Sequence, residues 1–276
     1  MSAIKFIWIT FLVILLTVLS QVGGMVYLLS RIAYPMIHRK ISNKWLVLVS
    51  ESLLFLMLYL FSVFVAVPLI ARPLGRVALP IVAKGHVQPV NILTCLLNRH
   101  YVTPVLYQAT FEVAGKMNNK YPGTITCYMD ACFPFIKGFP LLPHLSHHDG
   151  RKLDLAFCYK DKKTGQIMND TPSFIGYGVS VDPLPGETDM PGACHEKGFR
   201  KYGLLQKIIP QGKKGQYKFD EKRTRYLIVL LTQQAQVGKI FIEPHICERL
   251  GLSGNKIVFH GCHAVRHDDH IHFQLK

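Results

Sequence analysis

The chain has 276 residues, 49% hydrophobic and 18% charged, with 32 Lys+Arg against 17 Asp+Glu for a formal charge of +15. So apolar a composition excludes the disordered and acidic classes, and the positive balance calls for an anionic partner or a solvated basic surface. Seven cysteines without a C-x-x-C pair exclude zinc-ribbon and dense disulfide frameworks; one or two disulfides fit an exported domain, with at least one thiol left over in a monomer.

Residues 6–30 and 45–71 are apolar for longer than the roughly 20 residues a membrane-crossing helix needs. They predict two transmembrane helices, giving a membrane unit over 1–71. The first stretch runs to Arg31 with no short hydrophobic region and cleavage site, so it reads as an anchor and not as a removed signal. Glu51, inside the second, reads as reaching the interface or protonated. With two spans the tails share a side, and Arg31, Arg39, Lys40 and Lys44 in the loop match Lys5, Arg72, Arg76 and Lys84 in the tails. The positive-inside rule is then a tie. Setting aside 1–71 leaves 27 Lys+Arg against 16 Asp+Glu. No nucleic-acid-binding motif accompanies that excess, so lipid headgroups and cell-wall polymer rank ahead of nucleic acid as partners.

Pro73, Gly75, Pro80 and Gly85 make 72–89 a linker, and 90–276 reads as one domain. A helical pattern over 91–101 is followed by Thr103-Pro104, a hydroxyl cap with proline at the first position, opening a helix that ends near Tyr121-Pro122-Gly123. Stretches 124–129, 153–159, 239–243, 256–260 and 270–275 are β-rich. Residues 220–236 read as a helix capped by Asp220, with Tyr226, Leu227, Leu230 and Leu231 on its buried stripe. The Gly-, Pro- and Lys-rich 160–218 reads as long surface loops with short elements. The fold class is α+β: a largely antiparallel sheet with flanking helices, preceded by the two transmembrane helices.

Eight of the thirteen histidines fall in two short stretches: His144, His147 and His148, and His260, His263, His267, His270 and His272. In a strand over 270–275, His270 and His272 share one face while Ile271 and Phe273 take the other. Gly150 turns the chain into strand 153–157, where Asp154 stands opposite Leu153, Leu155 and Phe157. His147, Asp154 and one histidine of the H-x-H pair supply three zinc-type ligands and leave a position open, the catalytic arrangement. Neighbouring histidines can then move protons at neutral pH.

The pair SHHDGRKLD (146–154) and HDDHIHFQL (267–275) resembles the signature of the LAS zinc metallopeptidases (lysostaphin, D-Ala-D-Ala peptidases and the hedgehog fold), and within them the penicillin-insensitive murein endopeptidases of the MepA family. The stretch QVGKIFIEPHICERL is similar to that family's passage from helix to strand, and the likeness runs over about 90–276. The two spans depart from it. The resemblance implies Zn²⁺ held by His147, Asp154 and His272, His270 as the base toward water, and His267 as its assistant. Of the adjacent polar residues, His148, Asp149 and Asp269 read as supports for the ligands or as solvent-exposed, His144, His260 and His263 as rim or structural residues, and His245 as a surface residue. The implied reaction is hydrolysis of D-Ala-containing murein (peptidoglycan) cross-links by zinc-activated water. The implied location is the inner (cytoplasmic) membrane with the domain in the periplasm. The same ligands also suit a D,D-carboxypeptidase, an L,D-bond peptidase, a non-catalytic zinc- or wall-binding membrane protein, or a metal sensor or transporter accessory.

Overall fold

The computed structural model describes residues 3–276. Helix α1 (Ala3–Ser20) meets α2 (Gly23–Ile32) at a tight turn in which Gln21 adopts a φ of 67°. Gly24 lets the two backbones touch, since a Cβ there would stand 2.4 Å from the Val13 carbonyl oxygen. The stretch 6–30 is therefore not one span: the chain reverses after Ser20. Hydropathy registers side-chain polarity and is blind to a single left-handed residue followed by two glycines.

After α3 (Tyr34–Lys40) the chain turns into α4 (Lys44–Phe61), which continues through a π-helical turn (Ser62–Ala66) into α5 (Val67–Ala71). Val22 clusters with Val67 and Ala71, the Tyr27 and Phe55 rings lie 5.9 Å apart, and His38 Nε2 lies 2.8 Å from Glu51 Oε1. As one partner's number rises the other's falls, so α2 and α3 run antiparallel to α4. Glu51 thus has a histidine partner. Ala3–Ser20 and Lys44–Ala71 are both long and apolar enough to cross a membrane, and Trp8, Leu46 and Met57 point outward.

The remainder comprises β1 (Val77–Ala78), β2 (Val87–Pro89), α6 (Ile92–Leu96), β3 (Tyr101–Val102), α7 (Pro104–Lys120), β4 (Thr126–Tyr128), β5 (Lys152–Ala156), β6 (Tyr159–Asp161), β7 (Ile167–Met168), α8 (Met190–Glu196), α9 (Leu204–Ile208), β8 (Tyr217–Phe219), α10 (Glu221–Gln233), β9 (Val237–Phe241), α11 (Pro244–Arg249), β10 (Ile257–Val258) and β11 (His270–Leu275). The main sheet runs β10-β9-β11-β5-β4-β2. Its three central pairings are antiparallel and the two outer ones parallel. Residues 72–89 are more than a linker, because β2 closes one edge of this sheet and Leu79 and Val87 are in the core.

Thr103 caps α7 by accepting from Leu106 N, with Pro104 at the first position, and Asp220 caps α10 by accepting from Arg223 N. These helices bring Leu106, Val113, Met117, Leu227 and Leu231 into one core with Leu153, Leu155, Ile271 and Phe273. A cluster this size anchors the central strands by burial of apolar surface. One disulfide, Cys194–Cys262, joins α8 to the loop before β11.

Candidate metal centre

Pairing of β11 with β5 sets His272 opposite Asp154 and His270 opposite Ala156. Because side chains alternate along a strand, sending Ile271 and Phe273 into the core leaves both imidazoles and the carboxylate on the other face. His147 arrives from the loop between β4 and β5. Its Nδ1 donates to the Ala131 carbonyl at 2.7 Å, which leaves the Nε2 lone pair facing the sheet.

There, His147 Nε2 lies 3.2 Å from Asp154 Oδ1 and 3.0 Å from His272 Nδ1, and His272 Nδ1 is 2.8 Å from the same oxygen. Ligand atoms about 2.0 Å from a tetrahedral metal lie roughly 3.3 Å apart, so the three atoms have close to the spacing such an ion needs. His144, His147 and Asp154 also form a buried group able to hold a metal ion, with ligand atoms within 4.8 Å of one another. His144, however, faces the other carboxylate oxygen: its Nδ1 is 3.4 Å from Asp154 Oδ2 and 3.1 Å from Asp130 Oδ2. The tighter set is therefore His147, Asp154 and His272.

All three are buried, and the electrostatics keep Asp154 and His272 in ligand form. Burial opposes ionisation of Asp154, but His147, His270 and His272 around it hold the carboxyl well below its usual range. Burial lowers His272 to about 4 against the pull of Asp154, so its ring is neutral at physiological pH. His270 goes the other way: although burial works against the charged form, Asp154 and Asp269 raise it to about 9. Its Nδ1 donates to Asp269 Oδ1 in a short contact. Asp269 Oδ2 accepts from Gly178 N at 2.6 Å, fixing the carboxylate. His270 Nε2 is buried with no hydrogen-bond partner, 3.8 Å from Asp154 Oδ2.

The His267 and His270 rings are 5.0 Å apart, and burial together with the nearby His270 and His272 pushes His267 well below the ordinary histidine value. A cleft of about 230 Å³ opens here, lined by His144, His147, His267, His270 and His272, with His260 and His263 also on its wall. Of the five residues read from the sequence as ligands or proton carriers, His147, His267, His270 and His272 line this cleft, and Asp154 is buried behind them against His147 and His272. Asp269 is buried beside His270, whereas Asp149 binds Arg151 N and Lys152 Nζ outside it. His148 is half-buried. His245 is not on the surface: it is buried, with Nε2 donating to the Val181 carbonyl.

Several contributors carry no local sequence signal. Tyr177 Oη donates to Asp154 Oδ2 at 2.7 Å and accepts from Asp130 N. Arg99 grips Asp130 with two bonds of 2.8 and 2.6 Å. Behind His267, the buried Glu243 Oε1 accepts from His267 N and from Tyr202 Oη. Each of these lies far along the chain from the residue it supports, and only the folded sheet brings the pairs together.

No protein-family model matches this chain, and no curated protein matches it.

Proposed function

We propose that this chain is a membrane-anchored zinc-dependent hydrolase of amide bonds, acting on peptide cross-links of murein at D-Ala, with its domain on the periplasmic side of the inner membrane. The observation that carries the reading is the convergence of His147 Nε2, Asp154 Oδ1 and His272 Nδ1 within 3.2 Å of one another in a cleft also lined by His267 and His270. These residues would hold the ion. When bound, it would supply the Lewis acidity that polarises a carbonyl and acidifies water. The resemblance of 146–154 and 267–275 to murein endopeptidases of the LAS group supports the substrate class.

The chain's own groups have separable tasks in this reading. Asp269 orients the His270 ring through Nδ1, leaving Nε2 facing Asp154 as the atom that takes a proton from water. With Asp154's charge engaged by a cation, the first of the carboxylates that raise His270 would be compensated, and the ring brought toward the range where it accepts a proton at neutral pH. His267, neutral and 5.0 Å from His270, is the second proton carrier, on the side of the leaving amine.

One further observation supports the orientation: a disulfide belongs to an oxidising compartment. Digestion of defined muropeptides by the full-length protein, with products identified by mass, tests the assignment. Release of a free peptide at a D-Ala bond supports it, and intact substrate in the presence of bound zinc contradicts it.

A further inference from the structure

Beside the histidine cleft lies a second cavity of about 160 Å³, walled by Leu93, Leu97, Pro143, Ile175 and Leu205, with the Arg99–Asp130 ion pair at its polar end. Pro143 lines both cavities, and Asp130 shares Tyr177 and His144 with Asp154. An apolar trough thus adjoins the metal-binding face.

The trough also adjoins the anchor. Its α6 wall is fastened to the apolar helices by two hydrogen bonds: Tyr59 Oη donates to the Leu96 carbonyl at 2.8 Å, and Asn98 Nδ2 donates to the Ser20 carbonyl at 3.2 Å. Gln21, at the hairpin turn, accepts from Phe135 N and Ile136 N on the loop that leads to His144 and His147. Met57 and Phe61 on α4 are 62% and 59% exposed, and on the domain Ile92, Leu93, Ile136 and the 69%-exposed Phe174 also turn apolar side chains outward. Asn91, the cap of α6, donates to the Phe174 carbonyl and links that residue to α6. Exposed apolar side chains on segments hydrogen-bonded to apolar helices suit contact with lipid.

We propose that this trough receives the hydrocarbon chain of a lipid-linked substrate drawn from the bilayer, presenting a membrane-borne amide to the histidine cleft. The proposal rests on the reading of the chain as a membrane-anchored amide hydrolase, and adds to the murein peptides named there a lipid-borne form of the same substrate. Pro143 joins the two cavities: a chain lying between Leu93 and Leu205 passes along it, and the attached polar group emerges beside His144 and His147.

The test uses the full chain with Trp8→Phe and Trp45→Phe, in vesicles of phosphatidylcholine and phosphatidylglycerol whose acyl chains are either plain or brominated. A single tryptophan is placed by Leu93→Trp on the α6 wall or by Leu205→Trp on the α9 wall. Bromine quenches only at contact, so lipid in the trough lowers emission at both positions relative to plain lipid. Emission from Leu205→Trp that is the same in both lipids overturns the proposal, whether or not Leu93→Trp is quenched, because the membrane then touches the rim without filling the trough. If Leu205→Trp does not fold, Leu97→Trp, also on the trough wall, takes its place under the same criterion. Quenching does not depend on turnover, so an inactive protein with a lipid-filled trough would defeat the hydrolase reading and leave this one standing.

Discussion

His272 stands across the β5–β11 ladder from Asp154, its Nδ1 2.8 Å from the carboxylate oxygen that also faces His147. The pair is a product of register: a slip of β11 by one residue would turn His272 into the core and away from Asp154. Asp154→Asn and His272→Ala are each expected to lower zinc affinity by more than the roughly 10–100-fold that loss of an outer partner costs. Competition with a chelating dye measures this. His144→Ala, which leaves the tight trio intact, is expected to retain zinc more strongly than either.

Asp269 is expected to act through His270. Asp269→Asn keeps an acceptor for Gly178 N but removes the charge that raises the ring, so kcat should fall by roughly 100-fold or more with metal content unchanged. The sign of the pH effect follows: Asp269 raises His270, so its loss moves the acid limb of kcat to lower pH. An unchanged pH profile would place Asp269 outside the proton path.

These two aspartates mark where the sequence was and was not readable. Alternation in 270–275 and the turn at Gly150 were enough to put His270, His272 and Asp154 on one side of their strands, and the Thr103-Pro104 and Asp220 caps located α7 and α10. Strand and cap signals are local, so one sequence carries them. Asp130, Tyr177 and Glu243 act through partners 47, 23 and 41 residues away, respectively, which no local pattern encodes. The hairpin at Gln21 was hidden for a different reason, since backbone reversal inside an apolar run does not change its hydropathy.

Glu243 is expected to make stability depend on pH. Burial raises its carboxyl to about 7, above the usual 4.5, while the Tyr202 hydrogen bond opposes the shift. A raised carboxyl stabilises the fold fully below its unfolded value, and that contribution is lost as pH rises through the folded one. It amounts to about 3 kcal/mol between the two limits. Thermal midpoints in detergent should therefore fall from about pH 5 to pH 8 more steeply for the wild type than for Glu243→Gln, which retains the acceptor for His267 N. Parallel curves would show that Glu243 ionises normally.

The Cys194–Cys262 bond closes a segment of 68 residues and ties α8 to the loop bearing His267. Paired substitution by serine is expected to cost about 4 kcal/mol on the loop-entropy estimate. The lowered thermal midpoint should be matched by wild type treated with reductant, and not lowered further when the variant is reduced. A full-strength midpoint in the serine variant would mean that the bond does not form.

The most direct measurement pairs zinc content with cleavage of purified sacculi by wild type and His270→Ala. His270 contributes no atom to the tight trio, so the variant should carry the same zinc as the wild type and release no peptide fragments, while the wild type opens D-Ala cross-links. A zinc-loaded wild type that releases nothing, or a His270→Ala protein that cleaves as fast as the wild type, would contradict the account.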